Sequence, residues 1–334
     1  MTSARERVNG LITACWSTQV IAVAVQLGLP DRLAAGQADS RELAMALQVD
    51  GDALLRLLHA LAALGLVSHV DEHRFELTPD GQTLCADHPG SLRGVALHWG
   101  ERQWRSFGLL GEAVRTGRSQ VQSGSQGFAD LQQDAAQADV FNRAMAEQSL
   151  RIGEAAARAY DFSRFGSVLD VGGGYGAVLV ALLRACPALR GDSFDLPGVA
   201  DGACAYLASA GVADRGGFVA GSFFEAVPAG YDCHVLKYIV HDWDDAHARR
   251  LLACCAASLE PTGVLVLLEQ VLPERITAEP AVAGMVRGDL IMLNIGGRER
   301  TAAQYRDLLA SAGLRLTRIV PTDTAFSVIE ARLL

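Results

Sequence analysis

Leu54, Leu55, Leu57, Leu58, Leu61 and Leu64 recur at helical spacing and lay a thick apolar face along one stretch of chain. Gly65 follows directly, as a residue that ends a helix easily in the left-handed conformation. The chain from about residue 10 to 65 reads as helical throughout. Asp39 or Ser40 is placed to cap an earlier helix whose body is Arg41–Leu47. Then LVSHV, a turn at Asp71–His73 and RFELT read as a two-strand hairpin. Helices followed by a hairpin is the order of a winged helix. From about residue 90 to 160 the pattern is again helical, interrupted by the polar, glycine-containing loop QVQSGSQG. Phe141, Met145 and Ser149 stand at i, i+4 and i+8 and share one helical face.

From Ser167 the pattern changes. SVLDV, DSFDL, GGFVAGS, CHVLKYI and GVLVLLE are short apolar runs separated by helical segments. That alternation predicts βαβ units and a parallel, Rossmann-like sheet. FSVIEARLL reads as a last strand. The expected organisation is a winged-helix-like domain over 1–100, a helical connector over 101–160 and an α/β domain over 161–334.

Composition narrows the partners. A chain of 334 residues, 50% hydrophobic, supports two cores, and a net charge of −9 argues against a large basic face for nucleic acid. Arg56 is the only Lys or Arg across 54–64, which weakens a reading as a winged-helix regulator on DNA. The seven scattered cysteines form no CxxC pair, so buried thiols are expected rather than a disulfide framework or metal site. Neither a signal-peptide pattern nor a run of about 20 uninterrupted apolar residues is found, so a cytoplasmic protein without a membrane partner is expected.

VLDVGGGYG carries the first chemistry. An apolar strand ends in Asp170, and Gly172, Gly173, Gly174 and Gly176 precede the helix AVLVALLRA. Glycines let the backbone turn sharply and approach a ligand, and the helix start offers unpaired N–H groups. Asp195, in FDLP at the end of the next candidate strand, can accept bonds from two ribose hydroxyls. These features fit NAD or S-adenosylmethionine equally well.

YDCHVLKYIVHDWDDAHARRLL separates the two. It resembles the HDW segment of S-adenosylmethionine-dependent hydroxyaromatic O-methyltransferases, the plant caffeate type and bacterial natural-product relatives. VLDVGGGYG, FDLP, LEQVLPE and DLIMLNIGGRERT are similar to that family's blocks, in the family's order. The resemblance is dense over the C-terminal half and one of organisation over the N-terminal half. It implies a homodimer built through the helical N-terminal domain, an S-adenosylmethionine cofactor leaving as S-adenosylhomocysteine, and no metal. Its cofactor residues would be Ser149, Gly172, Gly174, Asp195, Leu196, Ser222, Phe223 and Lys237. His241 would be the general base, with Glu269 and Glu299 orienting it. Trp99, Trp104, Phe141, Met145, Asp242, Asp289, Met292 and Asn294 would meet an aromatic substrate of the polyketide, anthracycline or phenazine type. One block departs: Gly221-Ser222-Phe223-Phe224 has serine where the family usually has an acid near the adenine.

The chemistry agrees with this assignment. A phenol of pKa about 10 is mostly neutral at pH 7, and a histidine of pKa about 6.5 is available to take its proton. Plainer readings stand beside it. His234 and His247 read as structural, Asp242 as a cap for the following helix or a direct partner in the base region, Glu269 as a solvated strand end, and Glu299 as a partner of Arg298 or Arg300. The rival activities are a same-fold hydroxylase or decarboxylase, an N-methyltransferase and an NAD dehydrogenase.

Overall fold

A computed structural model describes residues 3–119 and 135–334; between 135 and 147 it describes only the backbone, apart from the Ala146 side chain. The QVQSGSQG loop and the side chains of Phe141 and Met145 therefore lie outside the described residues. The chain divides into two compact units, Met1–Gly108 and Leu109–Leu334, so the expected connector 101–160 is shared between them.

In the first unit the helix Gly51–Ala63 starts where the Asp50 carboxylate accepts from Ala53 N–H at 2.8 Å. Leu54, Leu58 and Leu61 are its buried residues, while Leu55, Leu57 and Leu64 lie half-buried at the edges of the stripe. Gly65 leaves it at φ +74°, as expected for the residue after a cap. Asp39 caps Ser40–Leu47 by accepting from Arg41 N–H. The hairpin forms from β2 (Val67–His69) and β3 (Arg74–Leu77), and β1 (Ala38–Asp39) pairs with β3 on the other side. Phe75 is fully buried beneath His69, whose ring stacks on it at 4.5 Å.

The helices Ala4–Thr13 and Cys15–Gln26 open the first unit. Together, Ala4–Gln26 has the length and hydropathy of a membrane span, although Asn9, Ser17 and Gln19 interrupt it, and little of it is buried. Val8, Leu11, Ile12 and Trp16 are exposed along it.

The second unit is built on a mixed sheet. Five strands run parallel, in the spatial order β6 (Gly216–Ala220), β5 (Arg190–Asp195), β4 (Ser167–Val171), β7 (Cys233–Lys237) and β8 (Val264–Leu272). β11 (Phe326–Leu333) then pairs antiparallel with β8, and β10 (Leu314–Pro321) pairs antiparallel with β11 at the edge. The expected parallel pairing thus holds from β6 to β8 and gives way to antiparallel pairing beyond β8. The edge strand β10 was not foreseen, because LRLTRIVP places Arg315, Thr317 and Arg318 among its apolar residues.

Both faces of the sheet are covered. The helix Ala177–Ala185 is buried from Ala177 to Leu183. The long helix Ala135–Ala159 lies against it, and a methyl on Gly153 would sit 2.8 Å from Ala181 Cβ. The opposite face packs Leu251, Leu252, Tyr305 and Leu309 against β7 and β8 residues such as Leu236 and Leu265.

His234 of β7 is wholly inside this core, and neither ring nitrogen has a partner among the described residues. Burial pushes its pKa down to about 4, because a charged imidazole there would lose its water. The fold therefore favours the neutral ring. His234's contribution to stability is complete above its unfolded pKa of about 6.5 and is lost as pH falls from there toward about 4. His234→Leu cannot acquire that charge. In urea denaturation at pH 7.5 and pH 5, wild type should lose about 2 kcal/mol more than the variant over that interval. Equal losses would show that His234 does not control acid stability.

Candidate active site

β7 ends at Lys237, and the chain then turns through Tyr238 at φ +55° into a short 3-10 turn, Val240–Asp242. Among described residues only Gln48 and Tyr238 have positive φ without being glycine. Backbone bonds alone do not hold such a turn. Val240 N–H donates to Glu269 Oε1 at 2.9 Å, and Arg298 N–H donates to the His241 carbonyl at 2.8 Å. The Arg300 guanidinium, 1% exposed, donates to the carbonyls of Val240 (3.0 Å), Trp243 (2.8 Å) and Arg298 (3.2 Å) and to Asp245 Oδ1. Gly297 must be glycine, because a methyl there would fall 2.1 Å from the His241 carbonyl oxygen.

This clamp presents a buried imidazole. His241 Nδ1 lies 2.9 Å from Glu299 Oε1, and Nε2 lies 3.3 Å from Asp242 Oδ1. In the neutral ring, with Glu299 as a carboxylate, Nδ1 carries the hydrogen and Nε2, beside Asp242, is the basic nitrogen. Glu299 is itself held by its own N–H, which donates to Asp289 Oδ1 at 2.8 Å. Donor atoms of His241, Glu269 and Glu299 lie within 4.8 Å of one another. Glu269 Oε2 and Glu299 Oε2 have no hydrogen-bond partner among the described residues.

Electrostatics follow from that crowding. Burial pushes the His241 pKa down, but the Asp242 charge, hydrogen bonds donated by the ring to Asp242 and Glu299, and the Glu269 charge outweigh it, leaving it well above 6.5. Burial raises Glu269, which shares the proton-rich cluster. The ordinary histidine pKa assumed from sequence is thereby corrected: the turn favours imidazolium.

Several expected residues have other local jobs. Asp242 does not cap the following helix; Asp244 does, accepting from His247 N–H at 2.9 Å. Glu299 faces His241, while Arg298 and Arg300 both pair with Asp245. One Asp289 oxygen is taken up in holding Glu299. Met292 and Asn294 are buried on the helix Pro280–Ile295, and the Asn294 carbonyl accepts from Ser119 Oγ at 2.7 Å. Ser149 is buried on Ala135–Ala159. In the first unit, Trp99 stacks on Phe107 at 5.9 Å and Trp104 is exposed.

The glycine loop lies at the end of β4. Gly172, Gly174 and Gly176 all have positive φ. A methyl on Gly172 would strike Ile239 Cδ1 at 2.6 Å, and one on Gly173 would strike Ser193 Oγ at 2.5 Å and the Asp170 carboxyl at 2.6 Å. Gly174 faces open space, and its N–H donates to Asp195 Oδ2 at 2.8 Å. Asp195 Oδ1 accepts from Leu196 N–H, so each carboxylate oxygen keeps lone pairs for a ligand. Burial raises both Asp195 and Asp170, the latter to about 7. Asp170 Oδ2 has no partner among the described residues. Lys237 is pushed down by burial and drawn back up by Asp170, Asp242 and Glu269. Phe223 Cε1 stands 3.5 Å from the Gly172 methyl position, and Ser222 Oγ accepts from Phe224 N–H.

Residues 107–315 match the family model of an O-methyltransferase domain, and residues 9–87 match an O-methyltransferase dimerisation domain. The chain belongs to the O-methyltransferase family. It is 36% identical over 324 residues to the phenazine O-methyltransferase PhzM of Lysobacter antibioticus, covering 96% of this chain and 94% of that one. Among solved structures, LaPhzM superposes with a TM-score of 0.92 at 36% identity, covering 100% of both chains. NcsB1, an O-methyltransferase of neocarzinostatin biosynthesis solved with S-adenosylmethionine and 2-hydroxy-5-methyl naphthoic acid, superposes with a TM-score of 0.82 at 33% identity, covering 95% of this chain and 96% of that one. The enzyme is thus an S-adenosylmethionine-dependent O-methyltransferase of bacterial secondary-metabolite type. The loop fits that cofactor: an open glycine backbone, a carboxylate with spare lone pairs and an unpartnered buried Asp170 oxygen suit a ribose and a cationic tail.

Sequence reading missed Arg300 as a holder of the turn, because three of its partners are backbone carbonyls. Arg300→Lys removes the guanidinium fork and leaves buried carbonyls unpaired, each costing about 1–3 kcal/mol. The variant should lose about 2–4 kcal/mol of stability in chemical denaturation. Its single-turnover rate should fall at least tenfold (on the order of 1.4 kcal/mol), with cofactor affinity unchanged. A full-speed enzyme would show that the turn holds without the clamp. Asp195→Ala should weaken S-adenosylmethionine binding by calorimetry at least tenfold, roughly one charge-assisted bond pair; unchanged affinity would remove Asp195 from the cofactor site.

Proposed function

We propose that the enzyme methylates a phenolic hydroxyl of a planar aromatic secondary metabolite, with His241 as general base. The observation that carries this reading is the buried imidazole whose Nδ1 lies 2.9 Å from Glu299 and whose Nε2 lies 3.3 Å from the part-exposed Asp242. The phenazine and naphthoic-acid chemistry in the names of similar proteins supports a fused aromatic acceptor.

Each residue then has a task. Gly172, Gly174, Asp195, Leu196, Ser222, Phe223, Lys237 and Ser149 would hold the cofactor, which would supply an electrophilic methyl group to the hydroxyl oxygen and leave as S-adenosylhomocysteine. Nε2 of His241 takes the hydroxyl proton. Glu299 fixes the tautomer and, with Glu269, stabilises the imidazolium. Asp242 occupies the Nε2 side before the acceptor arrives, and its part-exposed carboxylate is placed to pass the proton on to water. Met292 and Asn294 form a wall for the ring. Alignment supplies much of the remaining rate. Exposed Val8, Leu11, Ile12 and Trp16, within or beside the matched dimerisation domain, are covered by a second copy of the chain rather than by lipid.

Because the carboxylates favour imidazolium, the neutral base becomes more abundant as pH rises, and the rate should climb through a limb lying above pH 6.5. His241→Ala should lose about 10²–10⁴-fold in turnover and should lose that limb as well, with cofactor affinity nearly unchanged. An acceptor already ionised at pH 7 should shrink the defect. Full activity of His241→Ala on a phenol of ordinary pKa would mean that the enzyme works by alignment alone.

A further inference from the structure

Tyr238 is the residue at this turn to which the preceding reading gives no task, and its conformation is costly. Bulky side chains rarely occupy positive φ, and such strain persists only where the surroundings impose it. Its surroundings do so from several sides. Tyr238 N–H donates to the Leu268 carbonyl at 3.2 Å, and the phenol oxygen accepts from Gln270 Nε2 at 2.5 Å. Phe326 packs against its ring at 4.4 Å. The other consequence of the left-handed turn is that the ring folds back over His241. The two ring centroids lie 3.8 Å apart, with planes 7° from parallel.

We infer that Tyr238 is a positioning residue for the base: its aromatic face fixes the plane of the His241 ring and stabilises the imidazolium formed in the reaction. The inference rests on His241 being the base. In-plane contacts from Glu299 at Nδ1 and Asp242 at Nε2 restrain rotation about the ring normal, but not tipping out of the plane. A parallel ring at van der Waals distance restrains the tipping. The negative face of the phenol ring also favours a cation above it. The Gln270 bond and Phe326 hold the platform itself.

The charged and titratable groups around His241 are Asp242 on its own turn, Lys237 on β7, Glu269 on β8, and Glu299 and Arg300 at β9 (Arg300–Thr301). Asp289 lies behind Glu299, and Tyr305 of the helix Ala302–Ser311 interacts with both glutamates. None of these side chains is itself altered by substitutions at 238, but Lys237 Nζ lies 5.4 Å from the Tyr238 ring centroid, so a shift in the ionisation of His241 reports on the stacked ring when cofactor affinity, which Lys237 serves in the preceding reading, is unchanged.

The test compares the pH dependence of kcat in wild type, Tyr238→Asn and Tyr238→Phe. Asn enters the left-handed region readily, so the turn is kept while the ring is removed. Tyr238→Asn should move the limb to lower pH by about half to one unit, the worth of a face-on cation contact. It should lower kcat at least tenfold, with the acceptor KM changed less than threefold. Tyr238→Phe should restore the limb to its wild-type position. Pentafluorophenylalanine at 238 keeps the shape of the ring but reverses the charge of its face, so it tests the same point if the Asn variant fails to fold. It should move the limb to lower pH relative to Tyr238→Phe. A limb unmoved in folded, cofactor-binding Asn or pentafluorophenylalanine variants would overturn the proposal and leave Tyr238 as packing. A wild-type profile with no limb that His241→Ala abolishes would instead overturn the base assignment, and this proposal with it.

Discussion

A single buried guanidinium holds the part of the molecule on which the chemistry depends. Arg300 spends its donors on three carbonyls and the Asp245 carboxylate, so the turn that carries His241 is tied to the segment that carries Glu299. The imidazole and its orienting carboxylate come from positions 58 residues apart. The Arg300 side chain joins both pieces of backbone, beside the bond from Arg298 N–H to the His241 carbonyl. A planar fork suits this role because it can satisfy several fixed acceptors at once.

A second constraint joins the two halves of the reaction. The glycine loop and the base turn touch, since Ile239 fills the space that a side chain on Gly172 would need. Gly172 is therefore required by its left-handed backbone and by the neighbouring turn, whereas the open side of the loop belongs to Gly174. A larger residue at 172 would displace the base turn as well as the loop. Placing the glycine loop and placing the His241 turn is one packing problem.

Much of this was legible in the sequence where the signal is local. The Gly51–Ala63 helix, its stop at Gly65, the hairpin and the parallel strands follow from period, capping and glycine placement. The base turn was legible as a contiguous motif, and Glu269 and Glu299 through family resemblance. What stayed hidden depends on through-space partners. Arg300 looked like a surface neighbour of Glu299 because carbonyl acceptors leave no mark in a sequence. Asp242 read as a helix cap because Asp244, two residues later, offers the same chemistry. The direction of the His241 ionisation requires knowing that its carboxylates converge on a buried ring. β10 was obscured because edge strands carry charge.

The antiparallel insertion of β11 has a consequence for how the enzyme is made. β8, which carries Glu269, has β7 on one side and β11 on the other, with Ser327 directly opposite Glu269. During synthesis, everything from the glycine loop to the base turn leaves the ribosome before β11 does. Until then β8 has an open edge, and the floor beneath Tyr238 lacks Phe326. In a nascent chain the packing behind Tyr238 and one edge of β8 are therefore completed only after β11 has emerged and paired.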